Sequence, residues 1–281
     1  MTFVGGEGAR HQSGRGWPTD QKRPPSILPQ GWRVILDGER PPEFNMALDE
    51  AILARVVAAE APPTLRFYGW DRPAVSLGYH QVPEKVLDLE LVRSHGIAVV
   101  RRPTGGRAVL HGDDLTYSVS LPAATPWATS VTEAYRVLSE ALQWGFRCAG
   151  YDVSLARGHT GEQRPGPLPC FASTARYELV WNGRKLVGSA QRRLRGGVLQ
   201  QGSIPLRRGR VSPEDLLPVG QPVGARARWA TVEEIAGGPV NADRLARSLA
   251  EGFTQHLGVG LCFAALDASD LDAARLIEAG Q

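Results

Sequence analysis

Two short segments carry residue types that can do chemistry. The first, Arg101-Arg102-Pro103-Thr104-Gly105-Gly106-Arg107-Ala108-Val109-Leu110-His111, surrounds adjacent glycines with cations, a hydroxyl and an imidazole. The glycines permit positive φ and remove side chains that would block an acyl chain or a phosphate, although an isolated Gly-Gly also fits an ordinary tight turn. Their spacing matches neither the dinucleotide-binding nor the Walker loop. The second segment is Gly183-Arg184-Lys185-Leu186-Val187-Gly188-Ser189-Ala190-Gln191. A lysine here can donate to a carbonyl and stabilise the charge developing on its oxygen, worth ~3 kcal/mol for one well-placed donor. Read alone, it equally fits a solvated hairpin lysine. In one strand with Val187 and Ser189 it would share their face by the period of two, and Gly188 would keep that strand open. A third candidate is Cys170, in Pro169-Cys170-Phe171 at the end of a Pro/Gly-rich stretch. A thiolate attacks a thioester and leaves again readily, splitting one transfer into two easier steps, and nearby Lys185 or arginines favour the thiolate. A lone cysteine is also a small buried hydrophobe, the reading given to Cys148 and Cys262. His111 can orient a nucleophile or a carbonyl, or simply hydrogen-bond at a turn.

These groups need elements to hold them. Strands are expected at Trp32 to Leu36, at Ile97 to Arg101 entering the glycine loop and at Leu115 to Leu121 leaving it. Thr64 to Tyr68 and Ala74 to Tyr79 flank a turn-rich Gly69-Trp70-Asp71-Arg72-Pro73 and read as an antiparallel pair. Leu48, Ile52 and Val56 recur every fourth residue in a helix from Glu43 to Glu60, with Asp49, Glu50 and Arg55 facing elsewhere. Ser130-Val131-Thr132-Glu133 is a capping-box pattern opening a helix to Phe146, with Val131, Tyr135, Leu138 and Leu142 apolar. Tyr151 to Pro169 reads as a long loop. Tyr177 to Trp181 runs into Asn182-Gly183, a strong hairpin signal, and a second hairpin is expected at Arg195-Gly196-Gly197. Val232 to Ile235 is a short element, and Leu245, Leu249 and Phe253 mark a terminal helix from Asn241 to Leu257. The class is α+β: a mixed, largely antiparallel sheet packed by helices on one face.

The chain of 281 residues, 42% hydrophobic, can bury a sizeable core. Residues 1–30 are polar and Gly/Pro-rich and read as a flexible tail, residues 31–265 as one catalytic domain, and residues 266–281 as a short C-terminal extension. The net charge of +3, from 32 basic against 29 acidic residues, falls short of a nucleic-acid binder. Three separated cysteines suggest neither a zinc site nor a disulfide framework, and fit a reducing cytoplasm. The chain lacks an apolar run long enough for a membrane span.

The first segment, Cys170 and the second segment, in this order, resemble the lipoate-protein ligase and octanoyltransferase family, from about Trp32 to Leu261. The resemblance implies a fold similar to the class II synthetase and biotin ligase catalytic domain, without the accessory C-terminal domain of many lipoate ligases. It implies that Arg102, Thr104, Gly105, Gly106, Arg107, Ala108 and His111 lie against the acyl group, that Gly188, Ser189 and Ala190 also bind it, and that Ser189 and Gln191 are candidate polar contacts. Lys185 is then catalytic. Arg107, where ligases usually have a third glycine, and Cys170 before Tyr177-Glu178-Leu179 are closer to the cysteine-dependent octanoyltransferase branch, in which that cysteine accepts the acyl group. The chain departs from the family pattern at Gln201, where histidine is frequent. An amide is no base, so proton transfer would fall to Lys185, His111 or water.

The resulting expectation is transfer of octanoyl from acyl carrier protein, through Cys170, to a lysine of a lipoyl domain such as a glycine-cleavage H protein. No cofactor or metal is required, and a cytoplasmic monomer is expected. Alternatives are an ATP- and magnesium-dependent lipoate ligase and an amidotransferase between lipoyl domains, followed by a non-catalytic carrier-binding module. Arg192, Arg193, Arg195, Arg207, Arg208 and Arg210 are either a solvated face or a docking surface for an acidic carrier protein.

Overall fold

The first strand, β1 (Trp32–Arg40), is buried on both faces: Trp32 and Val34 point one way and Arg33 and Ile35 the other, and none is more than 7% exposed. That pattern requires cover on both sides, and the computed structural model, which describes residues 31–158, 174–194, 196–218 and 228–280, provides it. The expected N-terminal tail, Cys170 and Arg195 lie outside the described residues. The chain continues through α1 (Pro42–Val57), β2 (Thr64–Trp70), β3 (Ala74–Leu77), α2 (Pro83–Val86), α3 (Leu89–Ser94), β4 (Ala98–Arg101), β5 (Val109–His111) and β6 (Asp114–Pro122). It then forms α4 (Val131–Cys148), β7 (Ser154–Leu155), β8 (Leu179–Trp181), β9 (Arg184–Lys185), β10 (Gly188–Leu194) and β11 (Gly197–Pro205). It ends with α5 (Val232–Ala236), α6 (Ala242–Leu257), β12 (Leu261–Phe263) and α7 (Ala268–Ala279).

Among the described residues the main sheet has six strands in the order β10-β11-β6-β2-β1-β12. β1 pairs in parallel with β2 and β12, and the remaining neighbours are antiparallel, so the expected mixed α+β class holds. Helices α4 and α6 bury Leu138, Leu142, Leu249 and Phe253 with Trp32 and Val34 on one face. On the other, α1 buries Leu48, Ile52 and Val56 with Ile35 and with Ala274 of α7. Each fully buried aliphatic side chain contributes roughly 1.5–3 kcal/mol. Cover on one face only is therefore corrected to cover on both.

The expected β2–β3 hairpin does not form. β2 lies between β1 and β6, whereas β3 crosses into a separate sheet, parallel to β4 and antiparallel to β5. Local turn chemistry at Gly69 to Pro73 reverses the chain, but the burial of both strands is satisfied by different partners. At α4, Ser130 caps the Glu133 amide as expected, while the Glu133 carboxylate pairs with Arg136 instead of returning to the cap. Val131 is 48% exposed, and Ala134 and Val137 take the buried positions. The loop expected from Tyr151 contains β7, paired with β8. Cys148 and Cys262 are exposed, not packing residues: one closes α4 on its outer side and the other lies on edge strand β12.

Helix α6 is not terminal. Helix α7 follows, with a capping box between Asp267 and Asp270, and lies on α1. Arg33 binds Asp270 through two nitrogens at 2.6 and 3.2 Å, and Arg55 reaches both Asp267 and Asp270. Only Asp270 and Ala274 of this helix are fully buried, and the ion pairs of Asp270 with Arg33 and Arg55 do much of the docking. No helix among the described residues is long and apolar enough to cross a membrane.

Candidate active site

The glycine loop leaves β4 and passes over the β10–β11 hairpin end of the main sheet. Arg102, 5% exposed, is its internal brace. Its guanidinium donates to the carbonyls of Gly105, at 2.6 and 3.1 Å, of Arg107 at 2.8 Å and of Ser76 at 2.7 Å. The loop can lie this close to β3 because Gly78 has no side chain: a Cβ there would stand 2.0 Å from the Gly106 carbonyl oxygen. Arg192 supports the loop from β10, donating to Pro103 O at 2.9 Å and stacking 3.6 Å over Tyr79.

Beneath the loop lies an apolar pocket of about 40 Å³ whose wall includes Met46, Tyr68, Trp70 and Val109. Six of the expected residues meet around it: Arg102, Gly106, His111, Gly188, Ser189 and Ala190. Thr104 is fully buried just behind, whereas Ala108 turns away and packs against the cluster of Val75 and Leu77. Gly105 and Arg107 contribute carbonyls to the Arg102 brace. Ser189 meets Tyr117, hydroxyl to hydroxyl at 2.8 Å, and Gln200 donates to the same phenol. Burial pushes the Tyr117 phenol up to about 12, against the opposing effect of these hydrogen bonds. Gln191 donates to Gln200, away from the pocket.

The floor is a polar network that helical periodicity did not reveal. Asp49 was expected to face away from the core, yet it is 0% exposed. The cause is that α1 is covered on two sides: Leu48 packs with Ile35 of β1 and Ala274 of α7, while Asn45 and Asp49 face Arg66 of β2. Asp49 accepts from Arg66 (2.8 Å), Ser118 (2.7 Å), Tyr68 (2.9 Å) and Gln201 (2.7 Å). Burial, and then the Asp49 charge, hold the Tyr68 phenol well above its ordinary range. Gln201 also accepts from Thr104 at 2.8 Å, so the residue that departs from the expected histidine ties the glycine loop to the buried carboxylate.

His111 ends β5 inside a second chain of hydrogen bonds. Arg102 donates to Ser76 Oγ at 3.1 Å, Ser76 lies 2.8 Å from His111 Nε2, and His111 Nδ1 lies 2.8 Å from Asp114. A guanidinium only donates and a carboxylate only accepts, so with a neutral imidazole Nδ1–H faces Asp114 and the Ser76 hydroxyl faces Nε2. Burial alone would raise the Asp114 carboxyl. His111, together with hydrogen bonds from His111, Ser203 and the Gly112 amide, outweighs burial and holds it below the ordinary carboxylate range.

Lys185 is buried, at 2% exposure, and its ammonium lies 2.7 Å from Glu178, itself 5% exposed. The Asn182-Gly183 turn before it forms as expected, with φ of 48° and 74°. The single strand expected to carry Lys185, Val187 and Ser189 does not form, however: β9 belongs to the sheet of β7 and β8, and β10 to the main sheet. Leu186 and Val187 both donate to Leu179 O at the switch between sheets. Lys185 therefore sits in the small sheet, paired with Val180, and is not among the described residues that line the pocket at Gly188. Glu178 sat unremarked in the motif around Tyr177. The burial of Lys185 was its only signal, and that requires the fold. Of the arginine cluster, Arg207 pairs with Asp113 at 2.7 Å and Arg208 with Glu234 at 2.9 Å.

A slot closed by a glycine-bearing loop and floored by a sheet suits a group-transfer enzyme that shields a flexible, apolar substrate chain from water. In agreement, the chain belongs to the lipoyl protein ligase A/B catalytic domain family, whose profile matches residues 41–254. It is 43% identical to octanoyltransferase LipM of Kyrpidia tusciae, over 89% of this chain and 96% of that protein. Octanoyltransferase LipM of Bacillus subtilis is 37% identical over 86% of this chain and 91% of its own length. Among solved structures, lipoate-protein ligase A bound with ATP superposes with a TM-score of 0.75 at 26% identity, covering 90% of this chain and 96% of that one. A putative lipoate protein ligase from T. acidophilum with bound lipoic acid gives a TM-score of 0.72 at 25% identity, over 89% and 95%.

Proposed function

We propose that this protein is an octanoyltransferase of lipoate assembly, which takes octanoyl from acyl carrier protein and passes it to a lysine of a lipoyl domain such as a glycine-cleavage H protein. The observation that carries this reading is the near full-length likeness, at 43% identity, to a protein named octanoyltransferase LipM. In the proposed first step the Cys170 thiolate attacks the thioester carbonyl, the carbon–sulfur bond to the carrier breaks, the carrier departs as its thiolate and takes a proton from water, and an acyl-cysteine thioester forms. In the second, the neutral amine of the acceptor lysine attacks that carbonyl, an amide forms, and the cysteine thiolate leaves. The proton lost by the amine goes to water or to His111, since the Gln201 amide cannot take it.

Lys185 is assigned the stabilisation of negative charge on the carbonyl oxygen in both steps. Its burial and the Glu178 carboxylate at 2.7 Å support that role, because they fix a cation where water cannot screen it. The thioester supplies the driving force, so the reading requires neither ATP nor metal, and places a monomer in the cytoplasm.

The test is intact-protein mass spectrometry after mixing with octanoyl-acyl carrier protein in the absence of ATP, followed by hydroxylamine treatment and peptide mapping. A hydroxylamine-labile octanoyl adduct on Cys170 is expected, and Cys170→Ala should keep its thermal midpoint while losing transfer by 10³-fold or more, on the order of removing a nucleophile. Undiminished transfer by Cys170→Ala would remove the nucleophile. Lipoyl-domain modification only with free octanoate or lipoate, ATP and magnesium would instead identify a ligase.

A further inference from the structure

Three neighbouring strands of the main sheet each present a polar side chain at the same level. Ser118 of β6 is the register partner of Arg66 of β2 on one side and of Gln201 of β11 on the other. All three reach one carboxylate: Asp49 Oδ1 accepts from Arg66 at 2.8 Å and Ser118 at 2.7 Å, and Oδ2 accepts from Gln201 at 2.7 Å and Tyr68 at 2.9 Å. Two carboxylate oxygens offer about four acceptor sites, so Asp49 is fully engaged and its orientation is fixed. The row continues into β10, where Ala190, the register partner of Gln201, lines the apolar pocket.

Gln201, buried on the central strand β11, is where this row meets the glycine loop. A carboxylate only accepts, so the Gln201 amide turns Nε2 towards Asp49, and its Oε1 faces the Thr104 hydroxyl, which donates to it at 2.8 Å. The flipped amide would set two oxygens against each other at the Asp49 end. Thr104 is also held through its backbone, its carbonyl accepting from the Tyr79 amide at 2.9 Å. It is the anchored residue from which Gly105 and Gly106 run on, and Gly106 lines the pocket. An amide neither gains nor loses a proton in the physiological range, whereas the histidine frequent at this position in the family does.

Resting on the octanoyl-transfer reading, we infer that Gln201 is a positioning residue for the acyl donor: it carries the fixed orientation of Asp49 to Thr104, and so holds the glycine loop against the acyl chain by a link that does not titrate. Gln201→Leu removes both halves of the link, and Thr104→Val removes the second half alone. Gln201→Glu keeps the shape but sets a second carboxyl against Asp49. When protonated it has one donor and one acceptor and mimics the amide; when ionised it has no donor for Asp49. The charged and titratable groups around position 201 are Asp49 from α1, Arg66 and Tyr68 from β2 and, across the pocket, Arg102 from the glycine loop and His111 from β5. Asp49 is the one bonded directly to the residue at 201, so a glutamate there holds its proton to higher pH than usual, and the link is present at low pH and lost as pH rises.

The experiment measures KM and kcat for octanoyl-acyl carrier protein, and amide hydrogen exchange of the glycine loop without substrate, for wild type, Gln201→Leu, Thr104→Val, the double variant and Gln201→Glu. Gln201→Leu and Thr104→Val should each raise KM about fivefold, the equilibrium weight of one neutral hydrogen bond, with kcat changed less, and should speed exchange at Gly105 and Gly106 by a similar factor. Because both act through one bond, the double variant should raise KM no further than the larger single effect. The KM of Gln201→Glu divided by that of wild type should be near one at about pH 6 and climb to about fivefold by about pH 9. Thermal melts accompany each variant, and Thr104→Val and Gln201→Glu carry the test where Gln201→Leu does not fold. Effects that multiply in the double variant, a KM within about twofold of wild type in the folded single variants, or a Gln201→Glu ratio that is flat with pH overturns the inference. A wild-type protein that uses only free acids with ATP would overturn the donor reading alone, and loop exchange together with KM for free octanoate would still decide the role of Gln201.

Discussion

Glu178→Gln isolates what the buried Lys185–Glu178 pair does. The two side chains are 2% and 6% exposed with 2.7 Å between nitrogen and oxygen. At an effective dielectric constant of about 20, a separation of 2.7 Å gives an attraction of about 6 kcal/mol, and withdrawing each ion from water costs several kcal/mol. The pair as a whole is therefore close to neutral for stability. Removing one partner is another matter. Glu178→Gln leaves the buried ammonium without this counter-charge, and the expected cost is about 3–5 kcal/mol. Glutamine keeps an acceptor but not the carboxylate charge, so transfer should fall about 10²-fold. The double variant Glu178→Leu/Lys185→Met should regain most of the lost stability while remaining inactive. Urea denaturation supplies the stability comparison, and single-turnover acyl transfer supplies the rates. A Glu178→Gln cost below about 1 kcal/mol, or a double variant less stable than both single ones, would refute the reasoning.

Gly78→Ala places a Cβ 2.0 Å from the Gly106 carbonyl oxygen, a backbone atom that can move only with its loop. About 1–3 kcal/mol of stability and a rise in KM for the acyl donor are expected, and an unchanged KM would show that the loop does not border the acyl group. Alkali should destabilise the protein in part through Tyr117, whose phenol is raised by burial from 10.0 to about 12. Because the folded state holds this proton more tightly, its contribution is complete below about pH 10 and is lost as pH rises towards about 12, at most about 3 kcal/mol. Denaturation midpoints of wild type and Tyr117→Phe across that window test it, and equal pH slopes would dismiss Tyr117 as the cause.

Residues that act through neighbours in the chain were legible from the sequence. The Asn182-Gly183 turn, the stripe of Leu245, Leu249 and Phe253 and the glycine loop all form where their local chemistry directs. Periodicity misled where an element is covered twice. On α1 it identified the side packed on Ile35 and α7, and so set Asp49, which accepts four hydrogen bonds, facing elsewhere than the core. It also merged β9 and β10 into one strand, because alternation cannot show that the chain changes sheets between Lys185 and Gly188.

The sequence by itself determined the reactive residue types, their order and the turns that expose them. The tertiary structure decided which of them are charged, oriented and dry. Asp49 and Gln201 are 152 positions apart, Ser203 and Asp114 are 89 apart, and Glu178 meets Lys185 only because β8 and β9 fold back on one another. Hydrogen-bond partners for buried polar groups are chosen by packing between distant segments, and no local pattern in the chain specifies that choice.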